Sequence, residues 1–246
     1  MWTCSLLKEN AKQALSGRYW KGFWVCLVVG LLSGGSSSNL TFSYSADDVV
    51  SFWENLPAYI LPFLIVASLI GLALAVLWSV FIASPIVVGR CRYFMESRQS
   101  PSPFSTVFSV FQTPYLNVVK VSFLTGLKIF AGMFLLLIPG IYWSYCYALV
   151  PYLLAENPYL TTTRAMELSK EMMYGEKLHY FVLELSFIGW NLLCILTFGI
   201  GFFFLAPYQS ATFAEFYAAM RAKALSMGMT TTQELGGFVR HDNPNY

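Results

Sequence analysis

Apolar positions in this chain come in long blocks, cut by short polar segments and by Pro/Gly punctuation. The first stretch is the exception. Over residues 3–16, Leu6, Leu7, Ala11, Ala14 and Leu15 share one helical face, and Lys8, Glu9, Lys12 and Gln13 share the other. That pattern predicts an amphipathic helix lying at a membrane interface. Tyr19, Trp20 and Trp24 follow and suit a headgroup belt. A first apolar span then runs from Tyr19 to Leu32. It is as short as a signal peptide, but its long amphipathic lead-in and the lack of a small-x-small cleavage site predict a retained helix. Gly30 and Gly34 give one GxxxG spacing at its end.

Residues 33–57 form a Gly/Ser-rich loop with Asp47, Asp48 and Glu54 and no Lys or Arg. Val49, Val50, Phe52, Trp53 and Leu56 predict a short interfacial helix there, and Asn39-Leu40-Thr41 matches a glycosylation triplet. The second span, Tyr59 to Val88, is longer than the roughly 20 residues a bilayer needs, which implies tilt or protrusion. Arg90, Arg92 and Arg98 precede a Pro/Ser-rich loop. The third span covers Tyr115–Ile138, with Pro139-Gly140 as its turn, and the fourth covers Ile141–Ala155, with Asn157-Pro158 as its break. Residues 162–174 read as an amphipathic helix with Ala165, Met166, Leu168, Met172 and Met173 on the apolar side. Its methionine pair suits either a soft docking surface or core packing. Gly175 is a left-handed stop. The fifth span runs from Leu178 to Phe198, Gly199-Ile200-Gly201 turns it, and the sixth runs to Met220. The predicted fold is all-α: a polytopic membrane protein of six transmembrane helices as three hairpins, with interfacial amphipathic helices. Residues 1–224 make one membrane domain and 225–246 a flexible cytoplasmic tail.

The second, fourth and sixth spans share a local pattern. Phe81 precedes Pro85 by four residues and Gly89 follows by four; Tyr147, Pro151 and Ala155 repeat the spacing, as do Phe203, Pro207 and Ala211. Each proline lacks the N–H that would bond the carbonyl of the aromatic residue. The small residue a turn later lets a neighbour approach the kink. The spacing predicts an internal repeat of three hairpins with kinks at Pro85, Pro151 and Pro207.

Composition sharpens this reading. The 246 residues are 57% hydrophobic and only 11% charged, against about 25% charged in soluble domains. A net charge of +2 leaves no electrostatic footprint for nucleic acid. Of fifteen Lys and Arg, thirteen fall in or beside the N-terminus, the second and fourth loops and the tail. With six spans, the positive-inside rule places both termini in the cytoplasm. Five scattered cysteines and two distant histidines show no metal-ligand spacing, so no metal and no cofactor is expected.

Four ionisable residues fall within the spans: Lys120, Lys128, Glu184 and Glu215. Lys128 would sit roughly 20 Å in and the others roughly 8–10 Å in from the cytoplasmic end. Such charges normally face the protein interior and find partners. With Tyr208 and Gln209 they outline a candidate polar cavity open to the cytoplasm; the bland alternative is snorkelling for Lys120 and Lys–Glu packing pairs. No hydrolase elbow, P-loop, HExxH or dinucleotide fingerprint occurs, and Ser169 and Ser186 have no nearby base. No catalytic residue is expected.

Several segments together carry a resemblance. They are Leu6-x-x-x-Asn10-Ala11-Lys12-x-Ala14-Leu15, Pro139-Gly140-Ile141, Tyr147-x-x-x-Pro151-Tyr152-x-Leu154-Ala155-Glu156-Asn157-Pro158, Ser169-x-x-Met172-Met173-x-Gly175-x-Lys177, Leu185 through Trp190, and Pro207-Tyr208 with Ala214 through Tyr217. In these the chain resembles a bacterial multi-pass membrane family catalogued as domain of unknown function nine-seven-five. The resemblance implies a bacterial plasma-membrane protein and supplies no activity. More loosely, the layout resembles the membrane portion attached to some glycerophosphodiester phosphodiesterases, which hints at a lipid context. The leading expectation is a non-catalytic scaffold or regulator with membrane lipid, or a protein at the cytoplasmic face, as partner. The alternative is a carrier for a small or lipid-like solute. A membrane enzyme acting on lipid headgroups ranks third.

Overall fold

The computed structural model describes residues 2–33, 60–112, 114–135, 137–197 and 199–236. Gly34, the Asn39 triplet, the expected interfacial segment from Val49 to Leu56 and residues 237–246 lie outside them. Among the described residues every regular element is helical and there is no strand.

Helix α1 spans Cys4–Leu15 and is opened by Thr3, whose hydroxyl accepts from the Leu6 amide. Its apolar stripe buries Leu7, Ala11 and Leu15. That stripe packs on the protein's own last long helix, so the expected interfacial helix has a protein surface beneath it. Helix α2 spans Tyr19–Leu32, the bounds that the apolar run predicts.

One continuous helical run of 36 residues follows, Pro62–Ser97. It comprises α3 (Leu61–Trp78), a π-helical turn (Ser79–Ala83) and α4 (Ser84–Ser97). The helix therefore passes well beyond Val88. The π turn sits just ahead of Pro85, and the Phe81 carbonyl, which Pro85 cannot bond, accepts the Tyr115 hydroxyl. A Cβ on Gly89 would lie 1.9 Å from the Val107 carbonyl oxygen, so only glycine lets the Phe104–Phe111 3-10 helix dock here. The expected Pro/Ser loop thus contains a helical segment anchored on α4.

Helix α5 spans Tyr115–Leu135 and α6 spans Leu137–Cys146. The chain turns ahead of Pro139-Gly140, which instead lie in the first turn of α6; Gly140 lets α6 approach α5, since a Cβ there would meet Met133 at 2.4 Å. The expected fourth span is broken after α6, and α7 (Val150–Glu156) restarts with Pro151 in its first turn. Helix α8 spans Thr162–Met172, with Met172 and Met173 both buried, and Gly175 adopts φ +79° as the pattern predicts.

The expected fifth span is two helices, α9 (Lys177–Leu185) and α10 (Ile188–Leu196), stepped at Ser186-Phe187. Gly199 at φ +85° turns the chain into α11, Ile200–Ser226, which holds Pro207 within it. The prolines thus occupy three settings: after a π turn, at a helix start and inside a helix. Part of the expected tail lies within the described residues and is helical. Thr231 caps a last short helix, α12 (Thr232–Leu235), and Leu235 is buried.

Among the described residues three helical runs are long and apolar enough to cross a membrane: Pro62–Ser97, Tyr115–Leu135 and Lys177–Leu196, with 0%, 28% and 17% of their most apolar windows buried. The core draws on α1, α2, α4, α7, α8 and the second part of α11, with Val118 and Val121 of α5 joining it.

Candidate functional site

The second part of α11 collects charges from the ends of its neighbours. Glu215 takes both Arg98 Nε (2.6 Å) and Nη2 (3.0 Å), a planar two-point pair at the end of α4. Arg221 donates through Nε to Glu156 Oε1 at 2.7 Å, with Nη2 also 2.7 Å from that oxygen, and the Tyr217 hydroxyl donates to Glu156 Oε2 at 2.5 Å. The Arg221 and Glu156 side chains are 1% and 0% exposed, so their charges depend on each other. Lys223 Nζ reaches Glu176 at 2.7 Å in the α8–α9 turn. Arg164 on α8 holds Glu234 of α12 at 2.6 and 3.0 Å, and Asn157 Nδ2 donates to the Glu234 carbonyl at 2.6 Å. The Arg164 hydrogen bonds hold the Glu234 carboxyl below the usual carboxylate range. In chemical terms this is a clamp: each acid faces a base or a donor that already engages it, and the pairs tie helix ends together.

A second feature lies between α1 and the α10–α11 hairpin. It is an open groove of about 900 Å³. Its cationic wall carries Lys8 and Lys12; its apolar wall carries Trp190, Leu193, Phe204 and Leu205. Lys8 Nζ donates to the Ser186 carbonyl at 3.3 Å and stands 4.5 Å from the Phe187 ring centroid. Burial pulls the Lys8 ammonium below the usual lysine range. At the groove α10 and α11 approach closely: a Cβ on Gly201 would lie 2.8 Å from Cys194 Sγ.

The residues expected to share one polar cavity have separate partners. Glu215 is closed against Arg98, Glu184 accepts the Tyr145 hydroxyl at 2.8 Å, and Gln209 Nε2 donates to Asn191 Oδ1 at 3.1 Å. Tyr208 packs edge-on to Phe187 and is the one of the six that lines the groove. Lys120 is exposed on α5. Lys128 shares the helical stripe of Val121, Thr125 and Gly132 yet is exposed, with its ammonium 5.2 Å from the Tyr147 ring centroid. Among the described residues no cluster of three or more His, Cys, Asp or Glu could hold a metal ion.

Residues 25–224 match the family described as Protein of unknown function (DUF975). The chain belongs to that family. No curated protein and no solved structure matches it. The DUF975 match takes in the Arg98–Glu215 and Glu156–Arg221 ion pairs and leaves α1 outside.

The clamp's arginines escape sequence reasoning because Arg98 and Arg221 count there as loop charges that set orientation. The one available signal is Glu156 itself, an acid directly after the apolar run Leu149 to Ala155. Lys8 escapes because its place on the polar face of α1 suggests solvent.

Proposed function

We propose that this protein crosses the bacterial plasma membrane six times, with both termini in the cytoplasm, and acts without catalysis as a lipid- or partner-binding scaffold or regulator. The observation that carries this reading is that the interior charges are spent on one another. Glu215 faces Arg98 and Glu156 faces Arg221 with almost no exposure, as suits a structural clamp. A cargo site needs polar groups turned towards a cavity. The six crossings extend the three long apolar helices with α2, with α6 and α7 as a broken pair, and with α11. At 1.5 Å per residue the 14 residues of α2 reach about 21 Å, so that crossing needs the bilayer to thin or the flanking aromatics to anchor it. The three hairpins would then each return through a proline-bearing helix.

The carrier reading keeps one specific support. Lys128 lies on the same stripe of α5 as the buried Val121 and Thr125, and the π turn and the α9–α10 step interrupt helices as transporter folds do. Native mass spectrometry of the protein released from nanodiscs, wild type beside Lys128→Met, separates the two. The scaffold reading predicts the same bound species in both. A small molecule or lipid that vanishes with Lys128 would support the carrier instead.

A further inference from the structure

We propose that the groove between α1 and the α10–α11 hairpin is a binding site for one anionic phospholipid, its phosphate held by Lys8 and Lys12 and an acyl chain lying between Trp190, Leu193, Phe204 and Leu205. The inference rests on the reading of this chain as a membrane protein and deepens it by naming site and lipid class. Three observations argue for this occupant. First, the groove is amphipathic along its own length: two ammonium groups on one wall, aromatic and aliphatic side chains on the other. That matches a phosphodiester with a hydrocarbon tail and suits neither a sugar nor a free anion. Second, Lys8 is partly desolvated; it has one carbonyl, that of Ser186, and the face of Phe187 within reach. An ammonium has three N–H donors, so Lys8 retains capacity for an anionic oxygen. Third, Trp190 and Leu193 are more than half exposed, on a helix apolar enough to lie in a bilayer. The apolar wall is therefore continuous with the surface that lipid tails would cover, and a lipid could enter sideways. At about 900 Å³ the groove lies near the top of the range for small-molecule sites.

The test uses the full chain in nanodiscs of equal parts phosphatidylglycerol and phosphatidylcholine, with retained lipid read by native mass spectrometry. Wild type is expected to keep one phosphatidylglycerol in preference to phosphatidylcholine. Lys8→Gln with Lys12→Gln should reduce that preference about thirtyfold, taking roughly a fivefold loss for each lysine near the membrane surface. Lys12→Gln alone, an exposed change that leaves the Ser186 contact in place, should give an intermediate loss. Lys8→Arg with Lys12→Arg should retain it. Leu193→Trp, which fills the apolar wall, should expel the lipid with both lysines intact. Equal retention of the two lipids by wild type, or an unchanged preference in the Gln variants, would overturn the site. Recovery of the protein in carbonate-washed membranes is scored alongside. Protein that stays in the pellet but shows no lipid preference defeats this site alone, whereas protein released by carbonate defeats the membrane reading beneath it.

Discussion

One helix shows two physical regimes. From Pro62 to Trp78 no described side chain is buried, although this is the most apolar stretch of the chain. From Ser84 to Ser97 the same helical run buries nine residues, among them Ile86, Tyr93, Phe94 and Met95, and then delivers Arg98 to Glu215. The π turn and Pro85 lie between the two. The first part is apolar all round, so it needs an apolar surrounding that the described residues do not supply. The second part mixes polar and apolar positions and finds its partners in α2, α7, the 3-10 helix and α11. High hydropathy therefore marks where this helix is left uncovered, as a lipid-facing surface would be, and moderate hydropathy marks where it packs on the rest of the protein.

The largest expected effect lies in the packed part. Arg221→Met leaves Glu156 buried without its counter-charge and should cost about 3–5 kcal/mol in unfolding free energy measured in mixed micelles. Adding Glu156→Gln should recover most of that loss, because the double change removes both charges. Next comes the exposed part. Leu72→Arg should lower recovery in carbonate-washed membranes, reflecting an insertion penalty of about 2.5–3.5 kcal/mol. On a water-exposed helix the same change would be neutral, so full recovery would break the comparison. Two glycines of the one helical run give a smaller contrast. Gly89→Ala drives a methyl into the Val107 carbonyl and should destabilise by about 1–3 kcal/mol. Gly71→Ala meets nothing within 4 Å and should be neutral or mildly stabilising. The smallest effect concerns acid. Glu234, with its carboxyl held low by Arg164, contributes stability above the unfolded value near 4.5. That contribution is lost as pH falls through the lower folded value. The pair is partly exposed, so the loss should be about 1 kcal/mol, and Glu234→Gln should remove that part of the acid slope in thermal melts.

The helical class, the bounds of α2, the amphipathic α1 and the stop at Gly175 are legible in the sequence because each is a local pattern. Periodicity, caps and glycine act within a few residues of themselves. The clamp is not local. Arg98 meets Glu215 across 117 positions, and Arg221 meets Glu156 across 65. Counting basic residues to orient the chain treats each as a solvated point, which hides the two that pair with acids inside the fold. Lys128 shows a related failure: its depth along α5 follows from rise per residue, but whether its ammonium is covered depends on how α6 and α7 fold over it. The last helix, α12, is not legible in the sequence because Leu235 is one apolar residue in a polar stretch, too few to make a period. What holds α12 is the distant Arg164 and Asn157.

The central claim is that the clamped helix ends face the cytoplasm and the apolar hairpin tips face out. Single cysteines in a cysteine-free background, labelled by a membrane-impermeant maleimide, test it most directly. The account predicts that Ser102→Cys, Tyr159→Cys and Ser226→Cys react only after permeabilisation, while Ser38→Cys and Ile200→Cys react in intact cells. Reaction at position 226 in intact cells, or residues 102 and 159 reporting opposite sides, would contradict it.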